Sequence, residues 1–442
     1  MKSKVAFYTL GCKLNFSETS TMGEQFLNHG HEVVEFDSAA DIYVINTCTV
    51  TQNAEKDCRQ IVRRALRKNP EAFVIVTGCY AQLRPDDIVE IEGVDVVLGS
   101  NEKFKLFEYI NSFEKKELSC VYVSDNESLE DFHVATSTEA DSRTRAFLKI
   151  QDGCDYKCSF CTIPKARGKS RSASPELVID NLKRLLDEGY KEVILTGVNV
   201  GDYGVDQKIN FADLLHKMVQ VEGDFRMRIS SIEPNLLTDE ILDLTDENEK
   251  LVNHFHIPLQ SGSPEILKLM QRRYKVDYFH DLIYRAHEKI ADLGIGIDVI
   301  VGFPGETHEH FLETYNLLNE LPISYLHVFT YSERPGTKAE EMSGVVDVFD
   351  RKKRNNMLRI LSAKKKNAFY RSMLGKDMDV LWEHQNIDGK MRGFASNYTR
   401  VETDFDENFV NKISKVNLLS TDGNVCNGVL LPEISAIKTI AG

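Results

Sequence analysis

The sequence predicts an α/β protein in three parts. An N-terminal parallel α/β sheet domain spans 1–124, and a linker covers 125–142. A central partial (β/α)6 barrel with a basic helix spans 143–372, and a small OB-like β-barrel spans 373–440. Three observations predict this plan. Short apolar strands alternate with helical stretches over about the first 350 residues, the mark of parallel sheets covered by helices. Six strand–helix repeats follow residue 143, too few for the eight-fold barrel. The last stretch then changes to five short strands, with turns at Asp388-Gly389 and Asp422-Gly423.

In the first part the strands are Lys4–Thr9, His31–Phe36, Ile42–Asn46, Phe73–Thr77 and Val94–Leu98. Helices are expected from about Ser17 to Asn28 and Gln52 to Lys68. Cys12, Cys48 and Cys79 each lie just past a strand, in a polar turn. Strand ends gather on one edge of an open parallel sheet, where ligands bind, so these distant cysteines can meet. The bland alternative is three small buried hydrophobes. Cys58, Cys120 and Cys426 read as structural. Asp125 to about Ser142 is rich in Ser, Asp, Glu and Thr and reads as exposed.

In the second part the strands are Phe147–Gln151, Glu192–Leu195, Arg226–Ser230, His254–Leu259, Ile295–Val301 and Tyr325–Tyr331. Helices begin near Ser174, Phe211, Thr238, Ser263, Val276 and Thr307; Ser174-Pro175-Glu176 is a cap, a first-turn proline and an acid in order. After the first strand come Cys154, Cys158 and Cys161, three thiols within eight residues. Thiolates gathered this way suit zinc or an iron–sulfur cluster. A structural zinc site wants a fourth ligand, and none is close in sequence. A 4Fe–4S cube held by three thiolates keeps one iron open. Other strand ends would line the same mouth: Thr196-Gly197, Ser231 and Glu233, Gln260, Asp298 and Gly302. His254 and His256 alternate on a strand and read as one core and one surface side chain.

In the third part the strands are Asp377–Trp382, Met391–Ala395, Thr399–Glu402, Lys415–Leu419 and Val425–Leu431. Phe394, Tyr398 and Arg400 are candidates for base stacking or for the core of the small barrel.

Composition bounds the function. The 442 residues are 42% hydrophobic and 28% charged, ordinary for a globular chain. No apolar run approaches the ~20 residues of a membrane span. The apolar run after Met1-Lys2-Ser3-Lys4 is too short for a signal peptide, so the expected compartment is the cytosol. Nine cysteines there argue for metal or catalysis rather than disulfides. A net charge of −14 argues against nucleic-acid binding, but its distribution argues for it. Arg351 to Lys376 holds ten basic residues and no acid, Lys364, Lys365 and Lys366 among them. Lys165, Arg167, Lys169 and Arg171 form a second basic run.

The Cys154–Cys161 stretch, with aromatic Phe160 before the last cysteine, resembles the radical S-adenosylmethionine (SAM) motif. More widely, the chain resembles the methylthiotransferase family. The N-terminal stretches are Thr9-Leu10-Gly11-Cys12-Lys13-Leu14-Asn15, Asn46-Thr47-Cys48-Thr49-Val50 and Thr77-Gly78-Cys79-Tyr80-Ala81-Gln82. The central ones are Arg167-Gly168-Lys169-Ser170-Arg171-Ser172, His256-Ile257-Pro258-Leu259-Gln260-Ser261-Gly262, Gly302-Phe303-Pro304-Gly305-Glu306-Thr307 and Tyr331-Ser332-Glu333-Arg334-Pro335-Gly336-Thr337. Lys165 departs from the pattern, where a neutral residue is commoner.

The resemblance implies two 4Fe–4S clusters, an auxiliary one on Cys12, Cys48 and Cys79 and a SAM-cleaving one on Cys154, Cys158 and Cys161. One SAM would donate methyl to sulfur and another would yield a radical that takes hydrogen from adenine C2. Phe160, Thr196, Gly197, Ser231, Glu233, Gln260, Asp298 and Gly302 would lie around SAM. Lys165, Arg167, Lys169, Arg171, Lys364, Lys365, Lys366 and Arg400 would meet RNA, and the last barrel would be a TRAM domain. The branch resembled acts on N6-threonylcarbamoyladenosine beside the tRNA anticodon. The same plan implies an electron donor such as flavodoxin or ferredoxin, a sulfur source, and a monomer. Alternatives are a branch acting on isopentenyladenosine or on a ribosomal-protein aspartate, and a non-enzymatic iron–sulfur RNA-binding protein.

Overall fold

The computed structural model describes residues 2–49, 54–125, 132–139, 142–205 and 207–432. The first unit is a six-stranded parallel sheet in spatial order Glu32–Val34, Lys4–Thr9, Ile42–Thr47, Phe73–Gly78, Val96–Leu98, Cys120–Tyr122. Its two central strands, Ile42–Thr47 and Phe73–Gly78, are buried throughout, as near-continuous apolar runs require. One face packs under helix Ala54–Lys68, with Cys58 fully buried there. The other packs under helix Lys13–Asn28 through Met22 and Phe26. That helix starts four residues before the expected Ser17, with extended Cys12 at the N-cap position and no side-chain cap. The expected start of the second helix, Gln52, lies outside the described residues.

The second unit is an incomplete barrel. Six parallel strands run in order: Ser142–Lys149, Glu192–Thr196, Arg226–Ile229, His254–Gln260, Gly294–Val301 and Tyr325–Thr330. Single bridges such as Ser231–His256 join its two sheets. Odd and even positions divide cleanly. Leu148, Val193, Met227, Ile257, Ile297 and Leu326 pack outward under the helices. Helices begin where expected, with Ser174, Thr238 and Thr307 accepting hydrogen bonds from the third backbone N–H of each. The expected exposed linker is partly a strand: Thr136–Glu139 pairs antiparallel with Ser142–Lys149, and Ala135 and Thr136 are buried.

The long helix Val348–Ser372 lies against the last strand, and the closing unit is a five-stranded closed barrel. Its strands are Asp377–Trp382, Lys390–Ala395, Arg400–Asp404, Ile413–Thr421 and Cys426–Leu430. This unit shuts the amino-end mouth of the incomplete barrel. Arg226 donates to the carbonyls of Asp379 (3.0 Å) and Phe394 (2.7 Å), and Arg228 to that of Ser396 (3.0 Å). Glu192, fully buried, pairs with both arginines at 2.6 and 2.9 Å. Burial would raise its carboxyl, but Arg228 and Arg226 hold it far below the usual range. Gly294 leaves no room for a Cβ against the Asn397 carbonyl. Among the described residues no helix is long and apolar enough to cross a membrane.

Candidate active site between the two sheets

Strands Lys4–Thr9, Ile42–Thr47 and Phe73–Gly78 are neighbours, so their carboxyl ends carry Cys12, Cys48 and Cys79 to one edge. Two glycines permit the approach. A Cβ on Gly11 would stand 2.6 Å from Cys48 Sγ. Gly78 holds φ +98° and leaves no room for a Cβ against the Thr47 carbonyl. Asn15 ties the edge together. Its amide donates to the carbonyls of Leu10 (2.7 Å) and Thr47 (3.0 Å), and its oxygen lies 4.0 Å from Cys12 Sγ. Cys12 is exposed, while Cys48 and Cys79 are buried. Burial pushes the Cys79 thiol up against the opposing pull of Arg167 and Lys103.

The second set follows the first barrel strand, at the carboxyl-end mouth. Its loop is pinned on both sides. Cys154 N–H donates to Gly168 O (3.1 Å), Ser159 N–H to Met270 O (3.1 Å) and Ser159 Oγ to Leu269 O (2.8 Å). Each sulfur meets a donor. Tyr156 N–H lies 3.4 Å from Cys154 Sγ, Ile163 N–H 3.4 Å from Cys161 Sγ, and Arg272 Nη1 3.2 Å from Cys158 Sγ. Burial pushes the Cys154 thiol up to about 12 and Cys161 up to about 11. Such thiols ionise when they bind metal, and sulfur-directed donors stabilise the resulting thiolates. Structural zinc is closed by four ligands, and this loop supplies three thiols. The thiol chemistry and its donors fit an iron–sulfur cluster with an open iron.

A buried charge network joins the segments that carry the two sets. Arg167 Nη1 donates to Glu18 (2.8 Å) and Asp152 (3.0 Å), and Nη2 to Asn15 (2.8 Å) and Glu18 (3.1 Å). Lys103 and Lys149 reach the same Glu18 at 2.6 and 3.1 Å, and Lys149 reaches Asp152 at 2.6 Å. Glu18, Lys103, Lys149 and Arg167 are at most 1% exposed. Burial would raise the Glu18 carboxyl, but Arg167, Lys103 and Lys149 hold it well below its ordinary value. With Arg171 3.8 Å from Asp152, four cations face two carboxylates, an excess of two positive charges near Cys79. Anionic cluster thiolates at that edge would offset it. Thr49, next to Cys48, stands 3.5 Å from Thr162, next to Cys161.

Around the mouth, Thr196 Oγ1 and Ser230 Oγ are buried without a partner among the described residues, as groups awaiting a polar ligand would be. Gly197 lies against Gln151, whose Oε1 accepts from Asn199 N–H (2.9 Å). Phe160 packs edge-on to Phe303, 6.3 Å away. Ser231 bridges to His256, and Gln260 holds φ +67°. Glu233 is paired with Arg272, the residue that meets Cys158. Asp298 pairs with His256 Nε2 at 2.7 Å inside the barrel. Gly302 differs from expectation: the Arg351 side chain occupies its Cβ direction, so this glycine serves the long helix.

The residues expected to meet RNA divide. Lys165, Lys169 and Lys364 are exposed, with Lys165 donating to Gly336 O (2.6 Å). Arg167 and Arg171 are buried: Arg167 is committed to the charge network, and Arg171 donates to the carbonyls of Arg167 and Lys169 (both 2.9 Å). Lys365 ends helix His308–Glu320, donating to Asn319 O (2.6 Å) and Leu321 O (2.7 Å). Lys366 sits over Tyr370. Arg400 clamps Glu383 at 2.8 and 2.6 Å and covers Phe394. Phe394 stacks on Tyr398 at 4.6 Å, and Arg145 and Arg228 lie over the two rings. These aromatics fill the seam between barrels and are not displayed to an RNA. Glu18, Lys103, Lys149, Gln151 and Arg272 have no motif of their own, and no sequence signal singles them out.

Comparisons agree with this geometry. The radical SAM superfamily profile matches residues 148–318, and the profile of uncharacterized protein family UPF0004 matches 4–99. The threonylcarbamoyladenosine tRNA methylthiotransferase MtaB of Bacillus subtilis is 42% identical, over 94% of this chain and 93% of that one. The protein of the same name from Aquifex aeolicus is 39% identical over 88% and 97%. The tRNA-2-methylthio-N(6)-dimethylallyladenosine synthase of Clostridium botulinum is 32% identical over 94% of each. Among solved structures, the radical S-adenosylmethionine methyltransferase TsrM of Kitasatospora setae, with cobalamin and a 4Fe–4S cluster bound, shares the fold. Its TM-score is 0.59 at 16% identity, with 77% of each chain covered. The radical-SAM fold implies a 4Fe–4S cluster and SAM. With relatives this similar over nearly its whole length, the chain belongs to the radical-SAM methylthiotransferase family.

Proposed function

We propose that the protein is a cytoplasmic tRNA methylthiotransferase acting on N6-threonylcarbamoyladenosine beside the anticodon. The observation that carries this reading is the placement of two three-cysteine sets on segments that one polar network joins. Relatives named for that nucleoside exceed in identity the one named for dimethylallyladenosine. Cys154, Cys158 and Cys161 would hold the SAM-binding cluster, and Cys12, Cys48 and Cys79 an auxiliary one. When bound, these groups supply a carbon radical able to take hydrogen from adenine C2, which has no useful acidity, and the sulfur that replaces it.

The chain's own residues set the stage. Tyr156 N–H, Ile163 N–H and Arg272 hold the three sulfurs of the barrel set. Thr196 and Ser230 offer hydroxyls to SAM at the strand ends. Asn15 and Arg167 keep the two edges in register. Residues 1–124 and 143–372 act as the two cluster-bearing domains, and 373–440 as a TRAM domain. A flavodoxin or ferredoxin supplies electrons to the monomer, and a sulfur source restores the auxiliary site.

The test is nucleoside mass analysis of tRNA after anaerobic incubation of reconstituted protein with SAM, reductant and sulfide. The expected outcome is a methylthio group on threonylcarbamoyladenosine. A gain on isopentenyladenosine alone, or none on any nucleoside, refutes the reading.

A further inference from the structure

The last barrel strand, Tyr325–Thr330, is an edge strand. Its Leu326 and Val328 pack into the core, so His327 and Phe329 point to the opposite, open side. Phe329 is 45% exposed, unusual for a large aromatic on a barrel strand. Part of the edge itself is already satisfied. Ser362 Oγ on the long helix accepts from Leu326 N–H (2.9 Å) and donates to Leu326 O (3.0 Å). Asn355 Nδ2 donates to Val328 O (3.3 Å) and to Thr330 Oγ1 (3.2 Å). Asn355 and Ser362 thus stand where another strand would pair with residues 326–328.

What remains open is a groove of about 570 Å³, lined by His327, Phe329, Thr330, Asn355 and Arg359 among others. One of its lining residues reaches toward the barrel interior. The His327 ring lies 5.1 Å from that of His256, tilted by 34°, and His256 holds Asp298 inside the barrel. The strand continues through Tyr331 to a loop whose Ala339 N–H donates to Ser159 O, within the cysteine loop (2.9 Å). The groove's outer wall is cationic. Arg351, Arg354 and Lys365 of the long helix are committed to Glu333, Glu306 and the Asn319 and Leu321 carbonyls. Lys352, Arg359 and Lys364 are exposed, and no described carboxylate lies in ion-pair range of them. Position 352 precedes 355 and 359 by three and seven, so all share one helix face.

We propose that this groove seats a nucleotide flanking the target adenosine, its base stacked on Phe329 and its phosphates on Arg359 and Lys352. An aromatic face beside cations is the chemistry that holds single-stranded RNA by stacking and phosphate contact. In a chain of net charge −14, a local acid-free face is what lets phosphate approach. The inference rests on the tRNA reading above.

The test uses the full reconstituted chain and a fluorescent anticodon stem–loop, with binding followed by anisotropy over a salt series. Phe329→Ala should weaken binding roughly tenfold, the loss of one stacked base, and Phe329→Tyr should restore it. Arg359→Gln should weaken binding and lower the salt slope by about one. Phe329 is half exposed, so its truncation spares the core, and unchanged circular dichroism melts would verify that. If the wild type binds no stem–loop, the tRNA reading itself falls. If the wild type binds and both variants bind equally well with the same slope, the groove assignment alone is overturned. Loss of binding to a ribosomal-protein loop peptide, with RNA binding intact, also overturns it.

Discussion

Replacing Glu18 by Gln should loosen the joint between the N-terminal sheet and the barrel, and the structure sets the size of the effect. The carboxylate is fully buried and touches Lys103, Lys149 and Arg167 at 2.6 to 3.1 Å. At an effective dielectric near 20, each contact is worth roughly 5 kcal/mol before desolvation. Desolvation removes most of that, and measured losses on breaking a buried pair are about 3–5 kcal/mol. Glutamine keeps the shape but leaves Lys103 without its carboxylate and Lys149, Arg167 and Arg171 with Asp152 alone, and its amide adds donors where an acceptor is needed. Tryptophan fluorescence would miss the event, because the one tryptophan, Trp382, lies in the C-terminal barrel. Hydrogen exchange on peptides covering 13–28 and 142–152 of the cluster-free chain would not. Protection there should fall roughly 150- to 5,000-fold, the equivalent of 3–5 kcal/mol for a segment that opens locally. A change below about threefold would mean that the network contributes little, and the argument that it fixes the two edges in register would be wrong.

Three further outcomes follow from the same geometry. Gly78→Ala needs space taken by the Thr47 carbonyl, at a backbone angle an L-residue resists; on the proposed two-cluster reading, reconstituted iron should drop from roughly eight atoms per chain to roughly four, and a full complement would contradict it. Arg272→Met removes the side-chain donor to Cys158 Sγ, so the midpoint potential of the barrel cluster, read by electron paramagnetic resonance titration, should become more negative while the other stays put. Glu192 has a carboxyl depressed from 4.5 by Arg228 and Arg226 in spite of burial. Its stabilising share is complete above pH of about 4.5 and is lost as pH falls through the lower folded value. Glu192→Gln should therefore release the C-terminal barrel already at neutral pH, seen as faster proteolysis near residue 375, and an unchanged rate would refute it.

Much of this was readable in the chain. Runs such as Phe73–Gly78 are apolar throughout because both faces are covered, and periodicity finds them directly. Turn residues after strands located both cysteine sets, since strand ends of one sheet must share an edge. What stayed hidden depends on contacts between distant segments. Glu18 sits among polar neighbours on a helix and looks solvated, yet its partners lie 85, 131 and 149 residues away. The run Lys165, Arg167, Lys169, Arg171 is uniform in charge, but alternate members face solvent and protein. Nothing local distinguishes a guanidinium for phosphate from one for a buried carboxylate. Phe394 and Tyr398 illustrate the same limit, because an aromatic that stacks on RNA and one that fills a seam have the same composition.

The C-terminal unit floors the barrel at the amino ends of its strands. The Cys154–Cys161 loop lies at the other end, where the strands finish, so exchange of reactants falls to that carboxyl-end mouth and to the open edge at Tyr325–Thr330. For the proposed reaction, a turnover consumes two SAM molecules and discards two different remnants. A tRNA docked over the carboxyl-end mouth would then order the traffic, with the methyl-donating SAM exchanged before the RNA lands and the fragments of the second released after the modified anticodon lifts away.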